Sequence, residues 1–254
     1  MADGRSVIEF DRVRKTYPHQ SAPLLAIDDM SFTVGEREFA SVLGPSGCGK
    51  TTLLKITAGI MPVSGGTVSV NGQPVTEPVS NLGMVFQTPV LIKWRNVMDN
   101  VLFPVEILRH SRRDYVERAL ELVRLVGLEG FENRLPGELS GGMQQRVSIC
   151  RALITNPALL LMDEPFGALD ALTREDMNLE LLRIWEASRK TVLFVTHSIP
   201  EAVFLSDKVI VLSPRPSRVA RIFEIALPRS RDFSVCYTKE FGEYCDAIRA
   251  EIKR

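Results

Sequence analysis

Residues 44–51 read Gly44-Pro45-Ser46-Gly47-Cys48-Gly49-Lys50-Thr51, a GxxxxGK[ST] spacing whose parts suit one task, the holding of a polyphosphate. The three glycines let backbone N–H groups turn inward, and a helix starting at the threonines points its positive N-terminus at the anion. Lys50 has the reach for the β- and γ-phosphates, and the Thr51 hydroxyl can ligate Mg²⁺. Thr52 follows in the same turn. Cys48 lies inside this amide-rich, cationic loop, so its thiol is expected to have a lowered pKa and to react with alkylating agents.

Two further stretches carry chemistry. Leu159-Leu160-Leu161-Met162-Asp163-Glu164 is an apolar run ending in two carboxylates. Asp163 suits Mg²⁺, held directly or through water, and Glu164 suits the polarisation of an attacking water. Residues 139–146, LSGGMQQR, hold a hydroxyl, side-chain-less amides, carboxamides and a guanidinium. They contain no carboxylate, thiol or imidazole, so the octet can bind an anion but cannot do acid–base work.

Chemistry of this kind needs strands that end together. Apolar and β-branched runs occur at 6–10, 39–43, 67–70, 83–86, 159–163, 191–197 and 208–212. Several are continuous rather than alternating, the pattern of strands covered on both faces. Between 97 and 150 the period changes to helical, with Val116, Ala119, Leu120 and Val123 in phase and Gly127 as a stop. The simplest architecture is a mostly parallel sheet with a helical insertion near its middle. The final stretch, from 233, reads as a polar connection and a short amphipathic helix.

The bulk composition narrows the class. A chain of 254 residues with 45% hydrophobic content can bury a sizeable core. Lys plus Arg and Asp plus Glu both number 31, without the basic excess of a phosphate-reading nucleic-acid binder. The N-terminal residues have no apolar signal-like core, and no run approaches the ~20 apolar residues of a membrane span. Cys48, Cys150, Cys236 and Cys245 form no CxxC pair, which fits a reducing compartment and argues against disulfides or zinc. These observations predict a cytoplasmic chain.

In that setting the sequence resembles the ATP-binding subunits of ABC transporters, whose signature is an LSGGQ-like turn opening a helix. The resemblance spans nearly the whole chain, with the motifs in the family's order. It implies an α/β P-loop NTPase fold: a RecA-like core, an N-terminal antiparallel β-subdomain and a helical subdomain inserted at about 88–150. The ATPase domain would run over 1–232, with a C-terminal tail over 233–254. Tyr17 takes the place of the aromatic that stacks on adenine. Gly44 to Thr52 take that of the phosphate loop, and Gln87, after MVF, that of the glutamine touching Mg²⁺. Asp163 and Glu164 match the carboxylate pair, and His197 the histidine at the γ-phosphate. Gly167-Ala168-Leu169-Asp170 matches the loop that meets a partner subunit, with Asp170 in contact. By the same resemblance, Ser140, Gly141, Gly142 and Gln144 serve ATP bound to a second copy of the chain.

The implied cofactors are ATP and Mg²⁺, and the implied partners are a second copy in an ATP-dependent head-to-tail dimer and integral membrane permease subunits. A periplasmic or lipid-anchored solute-binding protein acts indirectly, and nucleic acid is not expected. The chain would lie on the cytoplasmic face of the membrane through its permease. Residues 87–97 (QTPVLIKWRNV) resemble the segment that docks on the permease; outside that reading, Trp94 would be a core aromatic. The run Arg109-His110-Ser111-Arg112-Arg113 reads as a solvated loop. The W-R-x-V element, VLSPRPSRV (211–219) and FEIALPR resemble nitrate, sulfonate and taurine importers, although Lys93 stands where that group usually has proline. The alternatives are another cargo, export, a non-transport ABC ATPase or, outside the family, a soluble P-loop kinase.

Overall fold

The computed structural model describes residues 5–18, 22–167 and 169–253. The chain divides into two compact units, Met1–Ser80 with Arg189–Arg254, and Asn81–Ser188.

The first unit opens on two long antiparallel strands, β1 (Ser6–Tyr17) and β2 (Leu24–Gly35). Their alternating apolar positions face inward, and Phe10 stacks on Phe32 with ring centroids 4.5 Å apart. Strand β3 (Phe39–Leu43) is wholly buried and runs into the loop that opens helix α1 (Lys50–Thr57). Strands β4 (Gly65–Val70) and β5 (Gln73–Pro74) then complete a four-stranded sheet in the order β2-β1-β4-β5. Residues 6–10 and 67–70 therefore lie in an antiparallel sheet, as the family resemblance implied, and not in the parallel one.

The second unit begins with β6 (Leu82–Val85), followed by α2 (Val97–Ile107), α3 (Arg113–Leu125) and α4 (Gly141–Leu153). It continues with β7 (Leu159–Asp163) and α5 (Ala171–Ser188). Strands β6 and β7 pair in parallel. At Gly83 a Cβ would fall 2.5 Å from the Ala152 carbonyl, so only glycine lets the end of α4 approach β6 this closely. Asn96 caps α2 by accepting from the Asp99 amide at 2.8 Å. The 109–113 segment is exposed, yet not simply solvated: Arg112 pairs with Asp99 and Glu106, and Arg113 already belongs to α3.

The chain returns to the first unit with β8 (Thr191–Val195), α6 (Ile199–Leu205), β9 (Lys208–Leu212), β10 (Val219–Glu224) and α7 (Lys239–Ile252). Strand β3 is flanked in parallel by β8 and β9, and β10 pairs antiparallel with β9. Val42 aligns with Val195 and Leu43 with Val211, so β3, β8 and β9 finish at one edge. In open α/β sheets that carboxyl edge is where ligands bind. The tail helix expected past 233 is α7, which buries Phe241, Cys245 and Ile248. No helix among the described residues is long and apolar enough to cross a membrane.

Candidate active site

At the carboxyl edge of β3, the phosphate loop is closed by its own lysine. Lys50 is buried, and its Nζ donates to the carbonyls of Gly44 at 2.9 Å and Pro45 at 3.2 Å. Gly47 and Gly49 have φ of 74° and 111°, backbone that L side chains rarely adopt. A side chain at Gly44 would press on the Cys48 Sγ at 2.9 Å and on Leu212 at 3.1 Å. Ser46, Gly47 and Thr51 are exposed, and the first turn of α1 holds no acidic residue to oppose its N-terminal dipole. The loop thus gathers backbone amides, one ammonium and one hydroxyl, groups suited to a phosphate chain.

Cys48 departs from expectation. Its side chain is buried, and this burial pushes the thiol up, outweighing the opposing charge of Lys50. It is a packing residue beneath the loop, not an activated nucleophile.

Tyr17, at the end of β1, is half-buried, and its hydroxyl is 2.9 Å from Thr52 Oγ1 and 3.1 Å from Met61 Sδ. The ring is thus fixed to the first turn of α1, with Lys15 Nζ 5.4 Å from its centroid. His197 lies just past β8 and is exposed. The residues on either side are anchored. The Thr196 amide donates to the Val42 carbonyl at 3.3 Å, its hydroxyl pairs with Glu201, and the Ser198 amide donates to Thr196 Oγ1 at 3.0 Å. This network holds the imidazole at the same edge as the phosphate loop.

In the second unit, β7 delivers Asp163, buried at the strand end, and then Glu164. Glu164 has φ of 44° immediately before Pro165, a strained conformation for a residue with a Cβ. Gln87 Nε2 donates to Glu164 Oε2 at 3.4 Å, so the structure brings these two predicted site residues together. The Gly167 amide donates to the Glu164 carbonyl at 3.1 Å and closes the turn. Asp170 accepts from the Thr173 amide at 3.1 Å and from its hydroxyl at 2.7 Å, bonds that hold the carboxyl below its ordinary range. Within this chain Asp170 therefore steadies the start of α5; Ala168, beside it, lies outside the described residues.

The octet forms the N-terminus of α4. Ser140 accepts from the Met143 amide at 3.3 Å, and no acidic residue stands in the first turn. A Cβ at Gly141 would meet nothing within 4 Å, whereas one at Gly142 would come 2.8 Å from Thr173. One glycine thus presents its backbone to open space, while the other lets α4 approach α5. Gln144 differs from expectation. Its amide turns back onto the carbonyls of Pro136 at 3.0 Å and Leu139 at 3.3 Å, so it braces the turn instead of presenting itself to a ligand.

Two supports were missed in the sequence. Buried Gln145 donates to the Phe86 carbonyl at 3.3 Å and ties α4 to the segment that carries Gln87. The available signal was a carboxamide in phase with the buried positions Gly142 and Ile149. Arg174 binds the carbonyls of Phe166 at 3.3 Å and Leu169 at 2.8 Å, which no local spacing reveals. Beside these groups, Phe86, Val90, Ile92, Trp94, Phe103, Ile107 and Leu108 line an open groove of about 700 Å³. Trp94 is 82% exposed there, which removes the core-aromatic reading.

The model of the ABC transporter family matches residues 27–167. An uncharacterized ABC transporter ATP-binding protein from Methanocaldococcus jannaschii is 46% identical over 237 residues, covering 93% of this chain and 88% of the relative. A taurine import ATP-binding protein from Rhizobium johnstonii is 48% identical over 230 residues, covering 89% and 88%. Among solved structures, the dimeric post-hydrolysis state of an ATP-binding cassette bound to ADP and phosphate superposes with a TM-score of 0.76 at 32% identity, covering 87% of this chain and 100% of that one.

Proposed function

This chain belongs to the ABC transporter family of ATP-binding proteins, and from that membership we propose that it powers the import of a small anion of the taurine, sulfonate or nitrate type. It is an ATP hydrolase with the ABC ATPase fold. The observation that carries the proposed chemistry is the Gln87–Glu164 contact at 3.4 Å at the tip of a buried strand. A carboxylate held there by a carboxamide is placed to polarise water rather than to neutralise a surface charge.

The roles divide by chemical type. Lys50 and the amides of residues 44–52 bind the phosphates, and Tyr17 supplies an apolar face for the base. The Thr51 hydroxyl, the Asp163 carboxylate and the Gln87 carbonyl are hard oxygen donors, a set that fits Mg²⁺, which would neutralise charge on the β- and γ-phosphates. Glu164 orients the water, and His197 donates to the γ-phosphate. Ser140, with the amides of Gly141 and Gly142, serves a nucleotide on the second copy, so two chains join head to tail around two ATP molecules. In support, the related cassette bound to ADP and phosphate is a dimer, and a backbone open at Gly141 suits an anion arriving from outside the chain.

The ATPase domain is assigned to 1–232, with residues 88–150 as its helical subdomain and 233–254 as the tail. The exposed apolar groove around Trp94 supports docking on a membrane permease, which would place the chain on the cytoplasmic face. A solute-binding protein would deliver the cargo, and no nucleic-acid partner is assigned.

The test is reconstitution with the cognate permease and binding protein in liposomes. Taurine or another small sulfonate should raise ATP turnover, and Lys50→Ala should abolish it. Turnover that ignores all small anions but responds to a cationic or sugar cargo would overturn the cargo assignment.

A further inference from the structure

The turn between β9 and β10 carries four positively charged or hydroxylated residues, Ser213, Arg215, Ser217 and Arg218, and it is built as a platform. The Ser213 amide donates to the Arg218 carbonyl at 3.0 Å, and the Arg218 amide donates to Ser213 Oγ at 3.0 Å. Ser217 is fully buried; its amide and hydroxyl donate to the Ala26 carbonyl at 3.0 and 3.2 Å, while its carbonyl accepts from the Asp28 amide at 3.0 Å. Asp28 in turn pairs with Arg218 and, at 2.9 Å, with Arg14. The Ser217–Arg218 end of the turn is therefore fastened to β2, and Ser213 closes the other end onto Arg218.

Arg215 stands at the exposed tip of this platform. Strand β9 lies parallel to β3, so the turn leaves the sheet at the edge where the phosphate loop begins. Arg215 Nη2 lies 3.1 Å from where a Cβ on Gly47 would sit, in contact range of the loop's own backbone. The charges of both Arg215 and Lys50 act on the Cys48 thiol inside the loop. Arg14 and Arg218 share the carboxylate of Asp28, but Arg215 has no carboxylate partner among the described residues. A guanidinium placed only for packing would be expected to find an acid; this one has none among the described residues and is adjacent to a cradle built for phosphate.

We propose that Arg215 is a further nucleotide-binding residue, a second cation beside Lys50 that contacts the polyphosphate of the ATP held by the same chain. This inference rests on the reading of residues 44–52 as the phosphate site. The absence of a side chain at Gly47 then serves two ends, the loop's left-handed backbone and the guanidinium's approach. The hydrogen bonds of Ser213, Ser217 and Arg218 hold the backbone of the turn, so the guanidinium starts from a fixed point beside the loop.

The experiment is a titration of the intact chain with fluorescent ATP, ADP and AMP analogues, comparing wild type, Arg215→Met and Lys50→Ala. The methionine keeps the length and removes the charge at an exposed position. The expected result is a Kd raised about tenfold for ATP and ADP, unchanged for AMP, with a weaker salt dependence. Arg215→Lys should recover part of the loss. If Lys50→Ala loses binding while Arg215→Met binds as wild type, the proposal falls and the phosphate site stands. If neither substitution matters, both fall. If Arg215→Met binds ATP normally but no longer dimerises in a Glu164→Gln background, the residue meets the partner subunit and the proposal is overturned.

Discussion

Arg151, late in helix α4, donates from Nη1 to the Val90 carbonyl at 2.8 Å and from Nη2 to the Pro89 carbonyl at 2.7 Å. The helix that begins with the signature glycines is thereby fastened to the wall of the apolar groove. Val90 is a β-branched residue at φ of 46°, a conformation that such residues avoid.

Val90→Gly should therefore leave stability unchanged or slightly raised, because relief of about 1–2 kcal/mol of backbone strain offsets the added freedom of the unfolded chain. Arg151→Ala should cost about 2–3 kcal/mol, since it removes two charge-assisted bonds. Urea unfolding of both variants, followed by circular dichroism, measures the contrast.

Cysteine labelling should follow burial. At pH 7 a maleimide should modify half-buried Cys236 first and spare Cys48, Cys150 and Cys245. Burial raises all three of those thiols, and Cys245 is pushed up to about 11. Raising the pH to 9 should therefore leave Cys245 slow, as it still lies below that value. Peptide mass spectrometry reads the order, and rapid modification of Cys48 that ATP suppresses would restore the opposite view of the loop.

Tyr17 offers a separation of hydroxyl from ring. Tyr17→Phe removes the Thr52 bond and should cost about 1 kcal/mol of stability while leaving ATP affinity within about twofold. Tyr17→Ala should weaken ATP binding about tenfold through the lost apolar face. Equal affinities for both variants would remove Tyr17 from the base site.

Asp28 gives a pH signature. Arg218 and then Arg14 hold its carboxyl below the usual carboxylate range, so the unfolded chain takes up this proton first. Its contribution is present above the ordinary aspartate range and is lost as pH falls through the depressed value. Asp28→Asn should flatten the acid limb of the stability profile and lower stability at neutral pH and above, where the contribution is present, without changing the slope near pH 9. Chemical denaturation between pH 3 and 9 measures it.

What the sequence makes legible is what lies in consecutive residues. Residues 39–43, 159–163 and 208–212 are strands at the bounds read from their apolar runs. The glycines of the phosphate loop, the paired carboxylates and the signature turn are likewise local, because their backbone requirements are set within a few positions. The features that depart from expectation depend on depth or on backbone carbonyl partners that residue type does not name. The charge of its neighbours suggests a reactive Cys48, whereas its burial decides its chemistry. Gln144 looked like a ligand because polar residues near a helix start often are, yet its partners are the carbonyls just before the helix. Arg174 and Gln145 reach backbone carbonyls that no spacing rule connects to them.

The central claim, that Glu164 activates water at an ATP shared between two copies, is tested most directly by the Glu164→Gln chain in size-exclusion chromatography with light scattering. With Mg-ATP the variant should bind nucleotide, show no turnover and elute at twice the 28.4 kDa chain mass, returning to monomer when ATP is withdrawn. A variant that keeps hydrolysing ATP, or that binds ATP and stays monomeric, would contradict the account.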